Sequence, residues 1–405
     1  MPERKILIIT NRVPYPLSDG GNLAMNTMIQ GYHNAGWKVY LLSMNTSRHP
    51  LNQSKLASLF TNIYAFDWVD INNDIKPLNI IKNYLFSDWP EHAERFYKQE
   101  FEDKIISVAA AFKPDVVQIE SVFLATYLPA VNENSDALTV LRLHNIEYQI
   151  WQSLAKKCKT LKKLYLIKLY RRIRNFERAA WRDFDLLLPI TEKDAQAVIR
   201  LEEVNDVVVV PFSIETDKIA QGKDEKWVGY HLGAMDWIPN QEGIRWFLEN
   251  AWRKIRKVEP GFEFYFSGRN MPERFKKLHI AGVHCLGEVP SAEEFIADKK
   301  ILIVPLWSSG GIRVKILEAM AAGKVVITTR AGIKGIEAKA GEHYLQVSSP
   351  DDFARAVKWC LDNKEAAIKM GEHARILMEE KYEQKTVMAH IINEMERLLG
   401  QTEQA

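Results

Sequence analysis

Short aliphatic and β-branched runs alternate along nearly the whole chain with longer stretches whose apolar positions recur at helical spacing. The short runs are too brief for helices and too evenly apolar for strands wetted on one face, so they predict strands covered on both sides. In the first half these runs are Lys5 to Thr10, Lys38 to Met44, Val116 to Ile119, Leu138 to Leu143, Leu186 to Ile190 and Val207 to Val210. The pattern restarts with Val228 to Leu232, Glu263 to Phe266, Val283 to Leu286, Ile301 to Pro305, Val325 to Thr328 and Tyr344 to Val347. Strand and helix alternating twice over predict an α/β protein with two parallel sheets, and such sheets bind ligands in the loops after their strands.

Pro211 closes the last strand of the first set, and the polar stretch Thr216 to Lys226 reads as a linker. The expected domains are therefore 1–215 and 216–380, with a terminal helix over 381–405 crossing back to the first. Beyond Pro350 the pattern is helical only, with Asp351 as N-cap. A chain of 405 residues exceeds what one core usually supports, in agreement with two domains.

Composition narrows the classes. With 47% hydrophobic and 26% charged residues, long disordered segments are not expected. A net charge of +2 argues against nucleic acid as a partner of the whole surface. Cys158, Cys285 and Cys360 are far apart and lack metal-ligand spacing, which fits idle thiols in a reducing compartment. The N-terminal apolar run is too short for a signal peptide, and no run approaches the roughly 20 residues of a membrane span. The expected location is cytoplasmic, with a peripheral place at the inner face of the cytoplasmic membrane as an option.

The strongest chemical signal is the run from Leu302 to Gly323, where a buried strand ends at Pro305, a small-residue loop follows, and a helix is expected from about Gly311. Ser309, Gly310, Gly311 and Ile312 would open free backbone amides to phosphate oxygens at that helix start. Arg313 and Lys315 would stand in the first turn, where they oppose the helix dipole and gain most beside an anion. Lys315 and Glu318 share a helical face and either meet one ligand or pair with each other. Gly323 reads as a helix C-cap.

Two more loops offer polar groups at strand ends. In Thr10 to Asn22, Gly20 and Gly21 precede a helix, but two prolines intervene and the dinucleotide fingerprint of spaced glycines is missing. In Arg142-Leu-His-Asn-Ile-Glu147, His144 can exchange a proton near neutrality and Glu147 can act as base or hydroxyl ligand, with Asn145 between them. Glu120 and Ser121 hold a similar address after Val116 to Ile119.

These motifs resemble those of bacterial glycosyltransferases of the GT-B fold, in the large retaining group that includes lipopolysaccharide and capsule transferases. The resemblance rests on Pro-Tyr-Pro-Leu-Ser-Asp-Gly-Gly in the first loop, His144-Asn-Ile-Glu147, Gly233-Ala-Met-Asp-Trp-Ile-Pro-Asn240 and Gly310 to Gly323. It implies two Rossmann-like domains facing a cleft, a UDP- or GDP-sugar on the second, and a carbohydrate or lipid-linked acceptor on the first. Glu318 would bind ribose hydroxyls, and Gly20 and Gly21 would approach the diphosphate. His144 would approach the sugar. Gly268 and Arg269 would face the nucleotide, and Gly287, Glu288 and Val289 would touch the base. Glu120, Asn145 and Glu147 are the candidate acceptor or sugar ligands.

Two positions depart from that pattern. A glutamate is usual eight residues before Glu318, where this chain has Gly310, and the loop Asp236-Trp-Ile-Pro-Asn-Gln lacks the usual cations. Arg313 and Lys315 are therefore expected to take over the diphosphate contacts, beside His144 as the catalytic group. The resemblance further implies retention of configuration, no dedicated carboxylate base and no cofactor or metal. Asp183-Phe-Asp185 reads as a helix end rather than a metal site. Two alternatives stay open: a UDP-GlcNAc epimerase-like enzyme, and a catalytically silent subunit that binds a partner transferase. Lys156 to Arg182 reads as a basic amphipathic helix, suited either to an anionic membrane surface or to packing its apolar stripe on the sheet.

Overall fold

The computed structural model describes residues 3–17, 20–160, 162–222, 225–308 and 312–402. The chain divides into two compact units, one of residues 1–212 with 387–405 and one of residues 213–386.

The first unit carries a parallel seven-stranded sheet of β1 (Lys5–Thr10), β2 (Lys38–Thr46), β3 (Ala65–Ile71), β4 (Val116–Ile119), β5 (Leu138–Leu143), β6 (Leu186–Pro189) and β7 (Asp206–Val207). Their order is β3-β2-β1-β4-β5-β6-β7, so the direction of winding reverses between β1 and β4. Ile6, Ile8 and Val39 feed one core layer, and Leu7, Ile9 and Leu42 the other. The helix Gln384–Thr402 covers the first of these layers from Val387 onward with Met388, Ile391 and Met395. Arg4 anchors it through Glu396 at 2.8 Å.

The second unit repeats the plan with β8 (Lys226–Leu232), β9 (Phe264–Ser267), β10 (Val283–Cys285), β11 (Lys299–Val304), β12 (Val325–Thr329) and β13 (Leu345–Val347), in the order β10-β9-β8-β11-β12-β13. Here the reversal lies between β8 and β11. Both sheets are of the α/β class expected from the alternating pattern, and ligands of such sheets bind at the reversal.

Several boundaries differ from the expectation. β3 is absent from the sequence reading because Asp67 and Asp70 interrupt its apolar run. It is an edge strand, where such polar positions reach solvent and partners such as Tyr40 and Lys104. The regular strand is Asp206–Val207, and the segment toward Val210 stays beside β6, with Val208 donating to the Leu187 carbonyl at 2.9 Å and Val210 to that of Pro189 at 2.8 Å. Ser349, not Asp351, caps the helix Pro350–Asp362, because its hydroxyl accepts from the Asp352 amide while Pro350 takes the first helical position. The segment from Lys156 to Arg182 is not one helix. It spans the end of the helix Glu147–Lys157 and nearly all of Lys162–Asp183. Of the apolar stripe weighed for a membrane, this second helix buries Leu169 and Ile173 in the core and packs Tyr165 and Phe176 half-buried against it, while Leu164 stays exposed. Asp185 is committed to Thr139 through its amide at 2.8 Å and hydroxyl at 2.7 Å. Among the described residues no helix is long and apolar enough to cross a membrane.

Candidate active site

In the first unit, the loops after β1, β2, β4 and β5 enclose a cavity of about 370 Å³ whose walls include Gly21, Glu120, His144, Asn145 and Glu147. Five separate sequence candidates thus meet at the reversal point of one sheet. Gly20 opens the helix Gly20–Asn34 beside them.

The centre of this cluster is Glu120, fully buried one residue beyond β4. Its Oε2 lies 2.8 Å from His144 Nε2, and its Oε1 lies 3.9 Å from Arg142 Nη1. Burial alone would raise the carboxyl pKa, but Arg142, His144 and Gln118 together hold it below its ordinary value. An ionised Glu120 only accepts, so Nε2 of His144 carries the proton and Nδ1 of the neutral ring is left as an acceptor. Behind Glu120 a buried chain continues, with Gln118 donating to Glu120 and Tyr32 donating to Gln118 at 2.7 Å. The imidazole is thereby oriented from the core outward. Gln118 escaped the sequence reading, although a lone amide inside Val116-Val-Gln-Ile119 is a visible signal.

Glu147 is the first residue of its helix. Burial pushes its carboxyl up to about 7, against a hydrogen bond from Asn145. Its amide and that of Tyr148 donate to Glu177 at 2.8 Å each, so a buried carboxyl group from the next helix, pushed up to about 8 by burial, satisfies this helix start. A carboxyl titrating near neutrality at a cavity wall can exchange protons with a hydroxyl-bearing ligand.

In the second unit the candidates gather where β8, β9 and β11 end. The helix after β11 runs Val314–Ala321 and begins three residues later than expected. Arg313 keeps an extended backbone as its N-cap, with its carbonyl accepting from Ile316 at 2.8 Å. Ser309, Gly310 and Gly311 lie outside the described residues; Ile312 directly precedes Arg313. Arg313 is buried, which pushes its pKa down to about 10. Gly323 has φ +67°, the left-handed conformation that ends this helix as expected.

Lys315 Nζ sits 3.1 Å from His231 Nε2 and 3.2 Å from Asn240 Oδ1. His231 Nδ1 lies 2.8 Å from the carbonyl of Ile303, so it must donate there and leave Nε2 to accept from Lys315. Burial, then the nearby Arg313, push the Lys315 pKa down to about 7. Glu318, three residues on, is exposed; the surrounding protein still raises its pKa, with Lys315 acting in the opposite sense. The ammonium fits because position 233 is glycine: a Cβ there would lie 2.3 Å from Nζ. The roles of His231 and Asn240 were not read from the sequence. Asn240 does end the motif that begins at Gly233.

Gly268 and Arg269 adjoin this group. Met235 donates to the carbonyl of Arg269 at 2.8 Å, Gly268 donates to that of Gly287 at 2.8 Å, and a Cβ at Gly268 would strike the Gly233 carbonyl. The side-chain Nε of Arg269 is buried and makes no hydrogen bond among the described residues. Glu288, exposed, and Val289, half-buried, follow Gly287 on the same loop.

Residues 228–363 match the family model described as "Glycosyl transferases group 1". Over 404 residues the chain is 22% identical to an "Uncharacterized 44.6 kDa protein in cps region" of Klebsiella pneumoniae, covering 96% of this chain and 99% of that one. Its fold is similar to sucrose-phosphate synthase of Thermosynechococcus elongatus, with TM-score 0.64, 14% identity, and 98% and 100% of the two chains covered. It is likewise similar to Anabaena Alr3699/HepE in complex with UDP-glucose, with TM-score 0.64, 13% identity, and 97% and 99% covered. The family match lies within the second unit, and the likenesses to solved structures are those of the GT-B fold.

Proposed function

We propose that the chain is a retaining glycosyltransferase that takes a UDP- or GDP-sugar on its second unit and transfers the sugar to a carbohydrate or lipid-linked acceptor on its first. The observation that carries this reading is Lys315, a cation at a helix start whose direct partners, His231 and Asn240, are uncharged. Such a group gains most from a diphosphate, whose charge grows as the sugar departs. Arg313 adds a second cation on the same loop, and Glu318 is assigned to the ribose hydroxyls. Gly268, Arg269, Glu288 and Val289 are assigned to the nucleotide. The UDP-glucose bound by the similar Anabaena protein favours the same donor class.

On the first unit, His144 is assigned to the transferred sugar, with Glu120 holding its ring and Asn145 and Glu147 facing acceptor hydroxyls. In the retaining route the donor phosphate takes the acceptor proton, and the protein mainly offsets charge on the leaving group. The cations and helix amides supply that charge without a metal. The test is transfer from a panel of nucleotide sugars, followed by NMR of the anomeric proton during turnover. Retained configuration and activity that survives chelation are expected. Inversion or strict dependence on a divalent ion would overturn the mechanism.

A catalytically silent subunit is the second reading, favoured by Gly310 where a glutamate is usual. Slow donor hydrolysis by the purified chain would exclude it.

A further inference from the structure

A second cavity of about 610 Å³ adjoins the first within the same unit, and the two share Arg48 and Arg95 as lining residues. They differ in chemistry. The first offers His144, Glu120 and Asn145, the groups assigned above to a sugar. The second is walled by Ile75, Ile80, Trp151, Leu154, Tyr165 and Leu166. Beyond Ile80, the helix Pro77–Phe86 leaves Leu78, Ile81, Leu85 and Phe86 exposed, between 55% and 85%, as an apolar rim.

Arg95, at the junction, has only 11% of its side chain exposed, yet its Nε and Nη1 make no hydrogen bond among the described residues. The carboxylate paired with it, Glu91, stands 3.7 Å away, and burial raises the pKa of that acid. Arg48 is close enough for its charge to act on both Glu91 and Arg95. Lys157 and Lys162 also line the apolar cavity. Two guanidiniums on the wall shared by both cavities, with Glu91 as the carboxyl beside Arg95, suit an oxyanion. A polar chamber, a cationic junction and an apolar chamber follow one another in that order.

We infer that these two cavities hold an amphiphilic acceptor: a hydrocarbon chain in the apolar chamber, a phosphate or diphosphate against Arg48 and Arg95, and a sugar head toward His144. This rests on the glycosyl-transfer reading and specifies its acceptor. A neutral glycan would leave the arginine pair and the apolar chamber unused. Free phosphate would use the arginines alone.

The test is calorimetric titration of the full chain with monomeric decyl phosphate, with decanol and with inorganic phosphate, each alongside UDP. Decyl phosphate is expected to bind at least about tenfold more tightly than either fragment. Arg95→Gln should weaken decyl phosphate and inorganic phosphate by about tenfold each, and Leu154→Glu should weaken decyl phosphate alone. Leu154 is 46% exposed, so that variant keeps the test decisive if Arg95→Gln does not fold. UDP binding should be unchanged in both. Equal binding of decanol, no effect of either variant, or capture by anionic vesicles without binding of the monomer would overturn the inference. UDP binding without decyl phosphate binding would sink this inference and spare glycosyl transfer. Loss of UDP binding to the parent chain would remove the reading beneath it.

Discussion

Two similar sheets present polar clusters at the same kind of address, yet they balance charge in opposite ways. At the reversal of the first sheet, Glu120 is buried between Arg142 and His144 and linked inward through Gln118 to Tyr32. At the reversal of the second, Lys315 is held by an imidazole nitrogen and an amide oxygen, with Arg313 nearby. A cluster that contains its own counter-ions holds its geometry without ligand and offers directional hydrogen bonds to neutral hydroxyls. A cation held by uncharged acceptors keeps its attraction for an incoming anion. Topology sets the address; the side chains set the charge.

The contrast is broken most severely at Lys315. Replacing it with alanine is expected to lower kcat about a thousandfold while leaving the unfolding transition near its original place. A loss below tenfold would mean that the second cluster does not offset leaving-group charge. On the other side of the comparison, Glu120→Ala leaves Arg142 without its carboxylate and should cost about 3 kcal/mol of stability in denaturant unfolding. An unchanged midpoint would show that the first cluster is not self-compensating.

Acidity gives a finer separation. In the free protein burial and Arg313 push the Lys315 pKa down to about 7, so the ammonium gives up its proton as pH rises through that value. A bound diphosphate favours the charged form, so binding takes up a proton in alkaline solution. UDP affinity should fall by up to about tenfold per pH unit above pH 7.5, and Lys315→Arg should flatten the slope. A flat profile for the parent chain would assign the binding charge elsewhere. The smallest effect is expected for Gly233→Ala, whose methyl would crowd the Lys315 ammonium. UDP binding should weaken by about 1 kcal/mol, and Gly233→Ala binding as the parent does would mean that the ammonium has other room.

Much of this architecture is visible in the chain itself, because strands covered on both faces leave unbroken apolar runs such as Ile6 to Ile9 and Leu186 to Leu188. β3 is hidden because an edge strand tolerates Asp67 and Asp70. Lys315 stands out in the sequence as a candidate group by its place after a strand and a glycine pair. What tunes it does not. His231 lies 84 residues away and Asn240 lies 75 away, and the crossing of β8 beside β11 brings them within reach. The helix starts at Val314 rather than near Gly311, with Arg313 extended at φ −93° and ψ 91° as its N-cap. In the first unit, Glu120 and His144 were both singled out, but neither spacing nor residue type announces that they touch. Arg48 and Arg95 carried no motif at all; three-dimensional proximity alone unites them.

The helix Gln384–Thr402 carries a consequence for synthesis. One face of the first sheet is sealed by Met388, Ile391 and Met395, which are translated after the whole of the second unit. Until they emerge, Ile6, Ile8 and Tyr32 lack part of their cover, and the nascent first unit presents a sticky surface to chaperones and to neighbouring chains. The order of translation thus makes the oldest part of the polypeptide the last to become fully native.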